Sequence, residues 1–166
     1  MSKNKFDALR IDIWISGTAD RDGNGGYAAL MHTSFKDKPY EVSIGGYGIG
    51  TTVTRMTLKA LLEALKKIKN PSFIHFYTSL PYISAGLNRN MNIWEKNDWI
   101  RKDGKFLKHS DLWEQISELL DEKSLSYKVH YNKEVVERSH ELHVIHKSSK
   151  YLMKAKQEMT EVLMPV

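Results

Sequence analysis

The residues with the most obvious capacity for chemistry are three histidines near the carboxyl end, His140, His143 and His146, spaced three apart. On a helix, residues three apart are neighbours, so two of them could share a metal ion with Glu137 or Glu141 as a further ligand. Zinc takes three or four ligands, and the third histidine is turned about 120° from the first. The spacing therefore predicts a solvated or helix-pairing face rather than a metal site. Thiol chemistry is excluded outright. The chain has no cysteine, which removes disulfide frameworks, thiolate zinc sites and cysteine nucleophiles together. That composition fits the cytoplasm or another reducing intracellular compartment.

A second group of residues suits binding. Residues 88–109 are polar, basic and aromatic, with Arg89, Lys96, Arg101, Lys102 and Lys105 set around Trp94 and Trp99. The formal charge of the whole chain is +5 at pH 7, which favours a polyanionic partner such as nucleic acid. No apolar run approaches the roughly 18 residues of a membrane span, and the start, MSKNKFDALR, lacks the apolar core of a secretory signal. No membrane partner is expected.

The elements that must place these groups can be read from periodicity. Ile11, Ile13 and Ile15 alternate with Asp12, Trp14 and Ser16, which predicts a first strand over 10–16. A turn-rich stretch from Gly17 to Gly26 follows, in which Gly23, Gly25 and Gly26 allow positive φ and tight reversal. Strands over 27–32 and 40–48 complete an antiparallel meander. Leu58, Leu61, Leu62, Leu65 and Ile68 form one apolar stripe, predicting a helix over 54–69 capped by Thr52 or Thr54 and stopped by Pro71. A fourth strand over 72–79, a helical turn over 81–87, a helix over 111–122 and a fifth strand over 124–131 follow. The last helix runs from about His140 to Met164. Its apolar side would pack on the sheet, while its lysines and methionines also suit a docking helix for a protein partner. The whole is one mixed α/β domain over 1–166, in which 1–9 form an amino-terminal extension and 140–166 a divergent terminal helix.

This order of elements carries particular residues: Gly25-Gly26-Tyr27, Thr51-Thr52-Val53-Thr54-Arg55-Met56, and Phe76-Tyr77-Thr78-Ser79. Gly86, Trp94, Trp99 and Lys108-His109-Ser110-Asp111-Leu112-Trp113 continue the series. Together they resemble the ribonuclease H type 1 family, most closely over 51–113 and more loosely over 11–154. The resemblance implies a ribonuclease H-like α/β fold: a five-stranded mixed sheet, with three antiparallel strands and then parallel ones, flanked by helices. Family members cleave the RNA strand of an RNA/DNA hybrid, using a cluster of carboxylates to hold two divalent cations. At the matching positions this chain has Ser16, Thr57 and Ser79, and the best local match to the fourth is Lys150. Neutral hydroxyls do not compensate the charge of two Mg²⁺ or Mn²⁺ ions. The resemblance thus implies a retained fold without catalytic residues and without a metal cofactor.

Other carboxylates do not restore the cluster. Asp12 lies four residues from Ser16, about 13 Å along a strand. Asp20 and Asp22 sit in the glycine-rich loop, and Glu63 is more than one and a half turns from Thr57. All four read as solvated surface charges. Phosphate-gripping positions survive in part: Thr52, Thr54 and Arg55 match, while Val53 stands where asparagine is usual and His109 replaces another asparagine. The family's basic, tryptophan-bearing handle corresponds to Asn88–Trp99, where Arg89, Lys96 and nearby Lys102 keep charge but Asn90 replaces a tryptophan. Trp94 and Trp99 serve either as nucleic-acid contacts or as packing. Lys133 falls nearest the family's catalytic-loop histidine. The expected function is an inactive ribonuclease H-like module that binds RNA/DNA hybrid or duplex RNA in a nucleoprotein setting. The alternatives are an active ribonuclease H with relocated metal ligands, drawn from Asp12, Asp20 and Asp22, and a protein-binding scaffold.

Overall fold

The computed structural model describes residues 9–132 and 140–163. Leu9, expected to end the amino-terminal extension, instead begins the first strand, while residues 1–8, Lys133, Glu137 and Met164 lie outside the described residues. Strands β1 (Leu9–Ala19), β2 (Gly25–Phe35) and β3 (Lys38–Gly48) form the antiparallel meander. β4 (Ser72–Thr78) pairs parallel with β1, and β5 (Ser126–Tyr131) parallel with β4, giving the order β3-β2-β1-β4-β5. This is the sheet expected of a ribonuclease H-like fold.

Alternation along β1 divides the molecule. Ile11, Ile13 and Ile15 point to the main core under α1 (Val53–Lys67), where Leu58, Leu61, Leu62 and Leu65 meet them. Trp14 and Ser16 point to the other face, which α5 (His140–Leu163) covers. Thr52 caps α1 by accepting from the Arg55 N–H at 3.2 Å. At the opposite end, Lys123 Nζ donates to the carbonyls of Leu65 at 2.9 Å and Ile68 at 2.6 Å, a cation placed on the negative helix terminus. Lys123 follows α4 (Ser110–Glu122), whose Trp113 is wholly buried.

Two sequence expectations change. Of the three loop glycines, only Gly23 has positive φ, at 84°; Gly25 and Gly26 lie within β2. They are small for contact rather than for turning. A Cβ on Gly26 would come within 2.1 Å of the Ser148 carbonyl in α5, and one on Gly25 within 2.5 Å of Thr51 Cγ2. Second, the helical turn after β4 continues well past residue 87. α2 (Pro81–Ala85), a π-helical turn at Gly86–Asn90 and α3 (Met91–Lys96) run on as one helix. Gly86 admits the Trp113 ring, which would lie 2.4 Å from a Cβ there.

Candidate active-site pocket and nucleic-acid interface

β1, α1 and the loop after β4 meet at a pocket of about 70 Å³ lined by Ser16, Gly17, Val53, Thr57 and Ser79 among others. Gly17 permits the meeting, since a Cβ on it would lie 2.3 Å from the Thr57 nitrogen. Three of the four positions singled out by the resemblance therefore converge. The fourth assignment changes. The residue facing Ser16 from α5 is Ser148, with the two hydroxyl oxygens 3.0 Å apart. Lys150 is exposed and lines a separate groove. Two residues along a helix turn the side chain by about 200°, so a small shift in a local match exchanges the two faces.

Most of these hydroxyls are already hydrogen-bonded. Thr57 Oγ1 donates to the Val53 carbonyl, one turn back in its own helix, at 2.8 Å. Ser148 donates to the Ile145 carbonyl at 2.9 Å, so its link with Ser16 takes its proton from Ser16. Ser79 is exposed at the mouth of the pocket. The two cations that the resemblance implies require anionic oxygens. A set of neutral hydroxyls bonded to one another and to the backbone does not fit them.

The remaining carboxylates point elsewhere. Asp12 accepts from the Tyr77 hydroxyl at 2.8 Å and pairs with Arg10 at 3.2 Å. Asp20 closes the glycine turn: its Oδ1 accepts from the Asp22 and Asn24 N–H groups at 2.9 and 3.0 Å. Partial burial pushes the Asp20 carboxyl up, but the donors on Asn24 and Asp22 outweigh it and hold it below the usual range. Glu63 pairs with Lys66 at 2.8 Å. The histidines also separate, because His140 stacks on Trp14 with ring centres 4.2 Å apart while His143 and His146 line the groove beside β3. Among the described residues no three of His, Cys, Asp and Glu come together as a metal site.

The phosphate-facing candidates gather at the amino end of α1. Arg55 makes a two-pronged contact with Asp111, at 3.2 and 2.7 Å, and lies 3.2 Å from His109 Nδ1. The hydrogen bond from Arg55 holds Asp111 below its usual range, and the same bond raises Arg55. Burial, then the Arg55 charge, pushes His109 down. Arg55 can only donate, so His109 accepts from it at Nδ1 and carries its proton on Nε2. Thr52 is exposed, though its hydroxyl serves the helix cap, and Thr54 is half-buried.

The handle separates its charges from its aromatics. Arg89, Lys96 and Lys102 are exposed, as binding requires. Trp99 is buried, and Trp94 packs against Trp113 and Tyr82 at ring separations of 5.6 and 6.2 Å. Trp99 is thus a packing residue, while Trp94 is packed on one side and half-buried. The exposed aromatic is Phe106, 76% accessible, beside Lys105 in a short hairpin closed by the Ile100–Phe106 bridge. Its only sequence signal was an aromatic among lysines. Asp111 was likewise missed as the anchor of Arg55, since nothing in linear spacing joins residues 55 and 111.

Comparison with known proteins agrees with this geometry. The RNase H family model matches residues 13–131. Ribonuclease H of Rickettsia bellii is 31% identical over 75% of this chain and 78% of its own length. Ribonuclease HI of Rickettsia prowazekii is 33% identical over 72% and 76%. Among solved structures, LC9-RNase H1, described as a type 1 RNase H with the type 2 active-site motif, superposes with a TM-score of 0.72 at 17% identity. That match covers 89% of this chain and 74% of the other. A foamy viral protease-reverse transcriptase solved with dsDNA gives 0.68 at 16% identity, covering 89% and 95%. With the family model spanning both β1 and β5, the chain belongs to the type 1 ribonuclease H family.

Proposed function

We propose that this domain holds an RNA/DNA hybrid or duplex RNA without cleaving it, as a binding module in a nucleoprotein assembly. The observation that carries the reading is the set of neutral hydroxyls, Ser16, Thr57, Ser79 and Ser148, gathered around the pocket between β1 and α1. Hydrolysis by this family's route needs metals to activate water and stabilise the leaving oxygen, and this donor set has no charge to hold them. The same replacement favours binding. Carboxylates beside a phosphate repel it unless a cation intervenes, whereas hydroxyls donate to it. Relatives named ribonuclease H, and reverse-transcriptase fold neighbours solved with dsDNA and with RNA/DNA hybrid, support a duplex ligand. Arg89, Lys96 and Lys102 would meet its phosphates, with His109 Nε2 as a neutral donor beside Arg55.

The test is a labelled hybrid incubated with excess protein in Mg²⁺ and, separately, Mn²⁺, run on native and denaturing gels. The expected result is an intact strand with a mobility shift that weakens as salt rises. Protein-dependent cleavage would overturn the reading and redirect attention to Asp12, Asp20 and Asp22. An intact strand with no shift would leave a protein-binding scaffold.

A further inference from the structure

On the sheet face away from α1, an open groove of about 850 Å³ runs between the edge strand β3 and α5, far larger than the Ser16 pocket. His143, His146, Lys147, Lys150 and Lys154 line it, and among the described residues no carboxylate does. Their spacing of three, four, seven and eleven residues puts all five on one side of the helix. At 1.5 Å per residue the stripe is about 16 Å long. Val144, Ser148 and Ala155 are buried on the adjacent side, so packing fixes the direction in which the stripe faces.

The groove wall is specifically shaped. Tyr151 packs on β3 at Gly45, where a Cβ would come within 2.2 Å of the ring. Lys154 Nζ stands 5.0 Å over that ring, and Lys147 Nζ donates to Ser43 Oγ. Both cations are held by neutral groups. Burial pushes Lys147 below its usual value. Glu41, two residues before Ser43 and on the same side of β3, lies beyond the lining.

We propose that this groove is a second phosphate-binding surface, which holds consecutive backbone phosphates of one nucleic-acid strand. One strand of a duplex carries one charge per about 3.4 Å of axis, so about five phosphates pass along 16 Å. Five nitrogen-bearing side chains meet them. A continuous stripe of this length suits a polymer with a charge at every unit better than the scattered carboxylates of an acidic protein segment. Lysine provides point charge for phosphate, and the imidazoles and Ser43 provide hydrogen bonds. The proposal rests on the nucleic-acid reading above, and adds to it a surface on the sheet face away from α1, which carries Arg55.

Replacing Lys147, Lys150 and Lys154 together by Gln tests it, with affinity for a labelled hybrid measured by anisotropy across a salt series. All three side chains are on the solvent side of α5, and a thermal melt checks that the fold persists. The slope of log affinity against log salt is expected to fall by about two to three, with affinity at low salt down at least about tenfold. An unchanged slope in a variant that still binds overturns the groove and leaves the nucleic-acid reading intact. No binding by the unmodified protein at low salt overturns both. Amide NMR with inorganic tripolyphosphate supplies an independent readout, with shifts expected at residues 143–154 and Ser43. Shifts confined to other residues overturn the proposal. Groove shifts with tripolyphosphate but no hybrid binding would assign the site to a free polyphosphate instead, and overturn the strand.

Discussion

On the α1 face of the sheet, Ile13, Leu58, Leu61, Leu65, Phe76 and Trp113 are shut away from solvent in one continuous apolar core. On the α5 face the corresponding cluster is Ala28, Leu30 and Val144 with part of Trp14, and beside it lie the Ser16–Ser148 hydroxyl pair and buried Glu141. The larger core fixes the fold. The smaller one tolerates polar groups, and the divergent helix packs there, beyond the span that the family model matches. A sheet with one well-packed face can keep its architecture while residues at the seam between the faces change chemistry. The Ser16 pocket lies at that seam.

The contrast can be broken by cutting both cores. Trp113→Ala is expected to cost about 3–5 kcal/mol, and Leu30→Ala on the α5 face about 2 kcal/mol, in urea unfolding. Equal losses would erase the distinction between the faces. Charge at the seam should have the next largest effect. Ser16→Asp, Thr57→Glu, Ser79→Asp and Ser148→Asp combined are expected to lower stability by about 3 kcal/mol through crowded carboxylates. Millimolar Mg²⁺ should then restore much of it, because a bound cation stabilises the folded state by mass action. The unmodified protein's melting temperature should not respond to Mg²⁺ in the same assay.

Glu141 sharpens the picture of the α5 face. Its Oε2 is buried without a hydrogen-bond partner, and burial pushes the carboxyl above its usual value. A raised carboxyl contributes stability while protonated, below the unfolded-state value, and that contribution is lost as pH rises through the folded value. Glu141→Gln should therefore raise the melting temperature more at pH 8 than at pH 4, by the equivalent of about 1 kcal/mol. The smallest effect is expected at the exposed Arg55–Asp111 pair. Asp111→Asn should cost at most about 1 kcal/mol. The contribution of the pair is present above the ordinary Asp value, is lost as pH falls through the lowered folded one, and shrinks in high salt.

Much of the α1 face was legible in the sequence, because its signals are periodic. The isoleucines of β1 and the leucines of α1 repeat at two and at three to four residues, and both elements formed where that pattern placed them. Ser16, Thr57 and Ser79 were legible through short, well-placed motifs. What escaped depended on contacts between distant segments. Gly25 and Gly26 look like turn residues until α5 and Thr51 are seen against them. Ser148 could not be told from Lys150 without knowing which side of α5 meets β1. For Trp99 the choice between contact and packing stayed open, and Phe106 went unnoticed, since a loop has no repeat to say which aromatic turns inward.

The π-helical turn at Gly86–Asn90 has a consequence for how this chain tolerates length changes. Such a turn is one extra residue accommodated in an α-helix, held as a local bulge so that the helix beyond it keeps nearly the phase it would have without the addition. Removing one residue there, Asn88 for example, would let the helix close to ordinary pitch with residues 91–96 on nearly the same faces. Trp94 would stay against Trp113, and Met91 would stay buried. A residue lost beyond the bulge, within α3, would instead turn the rest of that helix by about 100° and aim the handle's charges in another direction. The bulge is slack in the chain, and its removal should leave binding by the handle in place.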